Sequence, residues 1–479
     1  MNERTLPTVM LAVAILACAS KDRSAAPTKG SSAGGEAGTS IAGASGDPGT
    51  GGGGTGGRSS PPPGSGGTSQ PSPDAAAGGA SPDAAAGGAS PDAPPPLADA
   101  AGSETSVLTD GPRNDPRAFV HPGVLDTKVE LDFMKRQVAA GQQPWKTAFA
   151  QLKASSSGSL DYQPSPRAEV ACGPSGQPDL GCGDETTDSE AVYAQALLWA
   201  ASGDVRYAQK CADILNAWSA VLKTHSMSNA PLQVGWTGGG FVRAAEILRY
   251  TYPQWDKAHI DQFSKMMNTA FLPLIRNYKS YGTNGNWDAV MIEVMFSIAV
   301  FDDNRALFDE AVTRFKKRLP AYIYASADGP TPLLPDPSAK QDVIKFWYNQ
   351  TAFMDGLSQE TCRDVRHVQH GFGGLIQSAE IAWHQGVDLY AERGNRLLTG
   401  LEFHAKYILG APVPSNLCGG ALTRLDPMPT WEIPYNHYRN RKKLEMPLTE
   451  KIVDTNSPEG AVQHMMWGTL SHHGVGLVE

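Results

Sequence analysis

The chain has 479 residues with 40 Lys and Arg against 49 Asp and Glu, a net charge of −9, and no Phe, Trp, Tyr or His precedes Phe119. More than a hundred residues without an aromatic side chain have too little apolar surface to offset the entropy of ordering a backbone, so residues 1–116 are excluded as a folded domain. The remainder, about 360 residues, is long enough for a sizeable core and too near neutral to bind nucleic acid by bulk charge.

The N-terminus reads as an export signal. Met1 to Arg4 is short and polar, residues 9–17 are apolar but too few to span a bilayer, and Cys18 follows directly. Ile15-Leu16-Ala17-Cys18 resembles the bacterial lipobox, although Leu16 is bulkier than the small residue usual there. Residues 1–18 are therefore expected to be a lipoprotein-type signal peptide with Cys18 as the lipidation site. The expected location is the outer membrane or cell surface, with membrane contact only through the lipid anchor; without lipidation the chain would be periplasmic or secreted. Residues 19–116 are rich in Gly, Ser, Ala and Pro, and the segment Ser72–Ala80 recurs from Ser81 and restarts at Ser90. This is the composition of a disordered tether.

An exported chain meets oxidising conditions. Cys172 and Cys182 flank a Gly/Pro-rich loop and are disulfide candidates, whereas Cys211 on an apolar helix face reads as a buried thiol. The chain has no C-x-x-C pair, which excludes zinc-ribbon and thioredoxin-type motifs.

Residues 117–479 read as helices. Apolar residues at helical spacing predict helices over 190–201, after Asp204, over 241–252, 256–281, 287–301, 305–319, 371–390 and 393–409. Short loops between them mean antiparallel neighbours. Strand-like alternation is scarce, so the expected fold is all-α, an incomplete (α/α) toroid of helical hairpins. Beyond residue 416 the pattern loosens into a small sheet or an irregular cap.

The folded part has no G-x-S-x-G, H-E-x-x-H, Walker loop or dinucleotide fingerprint. Three polar constellations stand out. Asn284-Gly285-Asn286-Trp287-Asp288 precedes an apolar helix, where Asn286 stands at or near the N-cap. Glu360 to Gly371 packs Arg363, Asp364, Arg366, His367, Gln369 and His370 ahead of a Gly-rich helix start. Trp431 to Arg439 forms a late aromatic and cationic loop holding Tyr435 and Tyr438. Each could be ordinary capping, ion pairing or packing. His367 and His370 are three apart, and His464, His472 and His473 cluster late, but no third ligand is tied to them at metal spacing. No metal and no cofactor is expected.

Several motifs in order carry a resemblance. His121-Pro122-Gly123, Trp145-Lys146, Gly203-Asp204, Ala217-Trp218-Ser219 and Ala244 to Arg249 lead into Asn284 to Trp287, Arg363-Asp364 with His367, Gln369 and Gly371, and Glu380 to Trp383. Together, from about residue 119 to the 440s, they resemble the alginate lyase family of α/α-toroid polysaccharide lyases. The resemblance implies β-elimination on an acidic, uronate-containing polysaccharide of the alginate or glucuronan type. It implies Asn286 and Arg363 on the substrate carboxylate, His367 in carboxylate neutralisation or C5 proton abstraction, and Tyr435 as base and acid. Trp236, placed in a glycine-rich loop, is expected to be a sugar platform, and Arg366, Gln369, Tyr438 and Trp287 to be substrate contacts. Lys345, Tyr348 and Asn349 are weaker ones. The sequence departs from the better-known members at Trp287, where a His would follow the Asn, and in lacking a Tyr soon after Arg363. A glycoside hydrolase using Asp288, Asp355, Glu360 or Asp364, and a non-catalytic polysaccharide-binding lipoprotein, are the competing readings.

Overall fold

A computed structural model of the protein describes residues 118–278, 284–338 and 340–477; the expected signal peptide, Cys18 and the tether lie outside the described residues. The first helices are α1 (Lys128–Ala139), α2 (Trp145–Ala154), α3 (Cys182–Ser202), α4 (Val205–Val221), α5 (Ala230–Thr251), α6 (Lys257–Met266) and α7 (Leu272–Asn277). There follow α8 (Gly285–Phe301), α9 (Arg305–Tyr322), the single turn α10 (Val343–Phe346), α11 (Val365–His384) and α12 (Glu392–Ile408). The chain ends in short pieces, α13 (Glu432–Tyr435), α14 (Pro447–Asn456) and α15 (Gly468–His472). Strand β1 (Glu169–Cys172) pairs antiparallel with β2 (Asp179–Leu180) and parallel with β3 (Thr224–Ser226), and β4 (Ala461–Val462) pairs with β5 (Met465–Met466).

Local chemistry starts these helices where expected. Asp204, Asp256, Asn304 and Asp364 each accept a backbone N–H of the first turn of α4, α6, α9 and α11. Those amides have no partner inside their own helix. In α8 every residue but Trp287 is buried, so this helix has no solvent face and must sit at the centre. Helices α3, α5, α8 and α11 pack side by side as an inner layer; α4 covers α3, α9 covers α8, and α12 touches both α9 and α11. Through α13, α15 and α1, the chain returns from α11 to α3. This is the incomplete α/α toroid of helical hairpins.

The structure differs from the sequence reading in four places, the first being that the helix expected over 190–201 begins at Cys182. The helix expected over 241–252 begins at Ala230, so Trp236 stands on a helix and not in a loop. Its glycines lower helix propensity but let α5 approach α8, since a Cβ at Gly235 would lie 2.5 Å from Val290 Cγ2. The helix expected over 256–281 is interrupted by a π turn at Met267–Phe271, because Pro273 lacks the N–H that would continue the ladder. The helix expected over 371–390 starts at Val365 and stops at His384. Beyond residue 416 the chain is irregular, with short helices and one two-stranded ladder. Cys172 is bonded to Cys182 and Cys362 to Cys418, while Cys211 is a free, buried thiol.

Two buried polar pins hold distant segments. Arg243 of α5 donates to Glu293 of α8 (2.9 Å), Gln377 of α11 (2.8 Å) and the His464 carbonyl (2.9 Å). Arg441 bridges Glu130 of α1 (2.9 Å) and Glu380 of α11 (2.6 Å), and His384 lies 3.2 Å from Glu130. Burial opposes charge on His384 and Glu380, yet the two carboxylates raise His384 to about 10, and Arg441 with His384 holds Glu380 well below the carboxylate range.

Two predictions follow from this packing. The His384 contribution is complete below its unfolded value near 6.5 and is lost as pH rises through about 10, while that of Glu380 is present above about 4.5 and lost on acidification. His384→Gln is therefore expected to cost about 3–5 kcal/mol at pH 6 and to flatten the stability profile on the alkaline side, read by denaturant titration. Tyr322 at the end of α9 wedges between the starts of α8 and α11, where a Cβ at Gly285 or Gly371 would lie 2.1 Å from it. Gly371→Ala is expected to lose about 1–3 kcal/mol by displacing that ring, measured as a lowered Tm.

Candidate active site

Glu360 lies just ahead of α11 and is fully buried. Its Oε1 accepts from Asn286 Nδ2 at 2.6 Å and Arg363 Nη1 at 2.8 Å. Its Oε2 accepts from the Asn286 backbone N–H (3.0 Å), Asn286 Nδ2 (2.7 Å) and the Tyr322 hydroxyl (3.0 Å). One carboxylate thus joins the start of α8, the end of α9 and the entrance of α11. A buried charge is tolerated because it is paired and fully hydrogen-bonded.

Above this hub stand the groups that reach solvent. The Arg363 side chain is 30% exposed, so its remaining nitrogens face outward. His367 is 27% exposed, and its Nδ1 lies 2.7 Å from Asp364 Oδ2. Burial would push Asp364 up, but the ring and backbone N–H of His367 hold it below the usual carboxylate value. With Nδ1 turned to Asp364, Nε2 is the ring nitrogen that has no hydrogen-bond partner among the described residues. Tyr348 is half-buried and donates to Asn284 Oδ1 at 2.6 Å. Burial raises its phenol, and the charges of Arg363, Glu360 and Asp364 all reach it. Asn284, not Asn286, is the N-cap residue of α8.

Beneath His367 lies a neutral aromatic floor. The His370 ring is 5.6 Å from His464 and 5.9 Å from Trp236. Burial drives His370 well below its ordinary value and His464 to about 3. The Trp236 indole packs against His370, on the inner wall of the site.

The structure joins Asn286 and Arg363 through Glu360 just ahead of the helix that carries His367, and commits Gln369, Tyr435 and Tyr438 to other partners. Asn286 is buried and its amide nitrogen is spent on Glu360, so it does not offer that donor to a substrate carboxylate as the resemblance implied. Gln369 is buried and clasps the following loop: it donates to the Asp426 carbonyl and accepts from Met428 N and Trp431 Nε1. It has no free face for a sugar. Tyr438 is fully buried and donates to the Tyr390 carbonyl, which removes it as a substrate contact. Tyr435 donates to Glu450 at 2.8 Å, and burial with that carboxylate pushes it up to about 12, far from a working base. Trp287 stacks on Tyr278 with ring centroids 6.1 Å apart. Arg366 is exposed beside Arg424 in a pocket of about 290 Å³. Tyr322, Tyr348 and Arg424 are the site residues that sequence reasoning undervalued. The i,i+3 spacing of Glu360 and Arg363 was legible; Tyr322 and Arg424 reach the site from segments with no motif.

The one cluster with metal-ligand character among the described residues is Glu130, Glu380 and His384. Arg441 already occupies both carboxylates and His384 is held protonated, so these groups are poor metal ligands.

The alginate lyase family profile matches residues 132–414. Among solved structures, alginate lyase A1-III from Sphingomonas species A1 is 16% identical, with 75% of this chain and 96% of that chain covered and a TM-score of 0.53. A variant of A1-III complexed with a tetrasaccharide gives 16%, 75%, 96% and 0.54. An alginate lyase from Bacteroides ovatus gives 13%, 74%, 99% and 0.51. No curated protein matches the chain. At such identities the structural likeness speaks for the shared fold. The profile covers more than half of the sequence, and so the chain belongs to the alginate lyase family, the polysaccharide lyases built on this toroid.

Proposed function

We propose that the protein cleaves a uronate-containing polysaccharide, of the alginate or glucuronan type, by metal-independent β-elimination. The observation that carries this reading is the outward-facing Arg363 guanidinium beside His367, whose Nδ1 is held by Asp364. The C5 hydrogen of a uronate is not acidic while its carboxylate stays ionised and unpaired. Arg363 pairs with that carboxylate and stabilises the enolate-like charge that develops. His367 Nε2 takes the C5 proton, the electron pair forms the C4–C5 double bond and the C4–O bond breaks. Tyr348, kept protonated by burial, delivers its proton to the departing O4 and recovers one through solvent from His367. Asn286, Glu360 and Tyr322 are positioning residues, since they touch Arg363 or its carboxylate partner and lie buried.

Hydrolysis would need two carboxyl groups facing the cleft. Glu360 is enclosed by its donors, and Asp364 is committed to His367 and the start of α11. We also propose export with lipidation at Cys18, which lies outside the described residues; two disulfides support an oxidising compartment. Loss of detergent partitioning in Cys18→Ala tests this.

Assayed on alginate blocks, glucuronan and glycosaminoglycans, the protein is expected to release products with the ultraviolet absorbance of an unsaturated uronate, undiminished by chelator. His367→Ala is expected to lower kcat by about 10²–10⁴-fold while oligosaccharide binding persists, and Tyr348→Phe to lower kcat as well. New reducing ends without that absorbance would replace elimination by hydrolysis, and unchanged turnover in both variants would remove this mechanism.

A further inference from the structure

Next to His367 is a second cationic feature that the elimination does not use. Arg366 and Arg424 line a pocket of about 290 Å³ together with Asp426, Pro427, Met428, Pro429 and Val462. Arg366 is in the first turn of α11, one residue before His367, so the two side chains diverge by about 100° around the helix. Arg424 comes from the irregular segment after α12, and its charge reaches Asp364, the carboxylate that holds His367. Neither guanidinium has an ion-pair or hydrogen-bond partner among the described residues.

Unpaired surface arginines are common, but the Arg424 segment is fastened in place. The Cys362–Cys418 bond ties its start to the Glu360 to Arg363 stretch. Val365 N donates to the Thr423 carbonyl at 3.0 Å, immediately before Arg424. Gln369 grips the far side through Asp426 O at 3.0 Å and Met428 N at 2.8 Å. The Arg424 backbone is left-handed, with φ of 55°, a conformation that disfavours a side chain and that these restraints impose. The backbone that carries the two arginines is thus fixed beside a small pocket lined also by Asp426, Pro427, Met428, Pro429 and Val462. That combination fits a planar carboxylate on a sugar ring: the forks pair with the oxygens and the apolar wall takes the ring face.

We infer that Arg366 and Arg424 form a carboxylate subsite for a uronate unit neighbouring the one that reacts at Arg363 and His367. This inference deepens the proposed function and rests on it. Consecutive uronates in a chain each carry a carboxylate, so a second cationic site one unit away selects uniformly charged polymers over those with alternating neutral sugars. Binding energy from this unit also holds the reacting ring in register.

The test uses the full-length protein, its Arg366→Ala, Arg424→Ala and doubly substituted variants, and Arg424→Lys. Steady-state kinetics are measured on a homopolymeric uronate and on its short oligomers, with thermal melts confirming folding. Each Ala substitution is expected to raise KM on the polymer about ten-fold, more than it lowers kcat, with Arg424→Lys recovering part of the loss. The double variant is expected to lose much of the preference for longer oligomers and to show a weaker dependence of KM on salt. Elimination by the unsubstituted protein with an unaltered KM in the folded double variant would overturn the subsite and leave the proposed function standing. Absence of unsaturated product from the unsubstituted protein would overturn the function itself, and the subsite with it.

Discussion

The site depends on one carboxylate that no solvent reaches. Glu360 takes hydrogen bonds from Asn286, Arg363 and Tyr322, which belong to three different segments of the chain. Moving such a charge out of water is expensive, and the cost is offset only if all the donors arrive together. The start of α8, the end of α9 and the entrance of α11 therefore cannot shift independently. Glycines at 285 and 371 leave room for the Tyr322 ring that completes the set. The consequence is directional: with Nη1 bound to Glu360, the rest of the Arg363 guanidinium is turned toward solvent without a flexible search.

Charge is layered around this hub. His370 and His464 are buried and kept neutral, so the floor beneath His367 carries no cation of its own. The cations Arg363, Arg366 and Arg424 are at the surface, where they can meet an anion while hydrated. Asp364 is the carboxylate between them, and its field reaches Tyr348 on one side while it feels Arg424 on the other. Arg363 is paired with a buried acid and Arg366 and Arg424 with none among the described residues, so this face presents positive charge that is not cancelled by pairing with neighbouring surface carboxylates.

What could be read from the sequence was set by range. Helix identity in α4 and α9 was legible because apolar periodicity and a capping Asp or Asn act within a few residues. Arg363 with His367 was legible for the same reason, as a dense polar run at a helix entrance. Trp236 was misplaced because local propensity penalises a run of glycines, whereas packing against α8 rewards it. Tyr435 and Tyr438 drew attention as phenols in a polar loop, yet Glu450 and the Tyr390 carbonyl claim them. Tyr322, Tyr348 and Arg424 come from segments brought in only by tertiary folding, so no spacing rule singles them out.

The segments that carry Tyr348 and Arg424 are further joined below the surface. Tyr324, Phe346, Trp347, Leu357, Tyr407 and Leu417 form a small core of their own, apart from the main one. It underlies both the α10 segment that carries Tyr348 and the segment that leads to Arg424. Gln350 stitches the two, donating to the Asn416 carbonyl at 2.9 Å and accepting from Cys418 N at 3.0 Å, next to the Cys362–Cys418 bond. A core of six side chains holds little free energy by itself, so a covalent link across it has more to contribute here than one in the main toroid would. Tyr348 and Arg424 stand on this satellite, whereas His367 stands on α11 and Arg363 in the turn just ahead of it. The candidate site is thus shared between an inner helix and a smaller unit bound to its entrance by the Cys362–Cys418 bond, so the position of Tyr348 relative to His367 depends on that satellite staying docked.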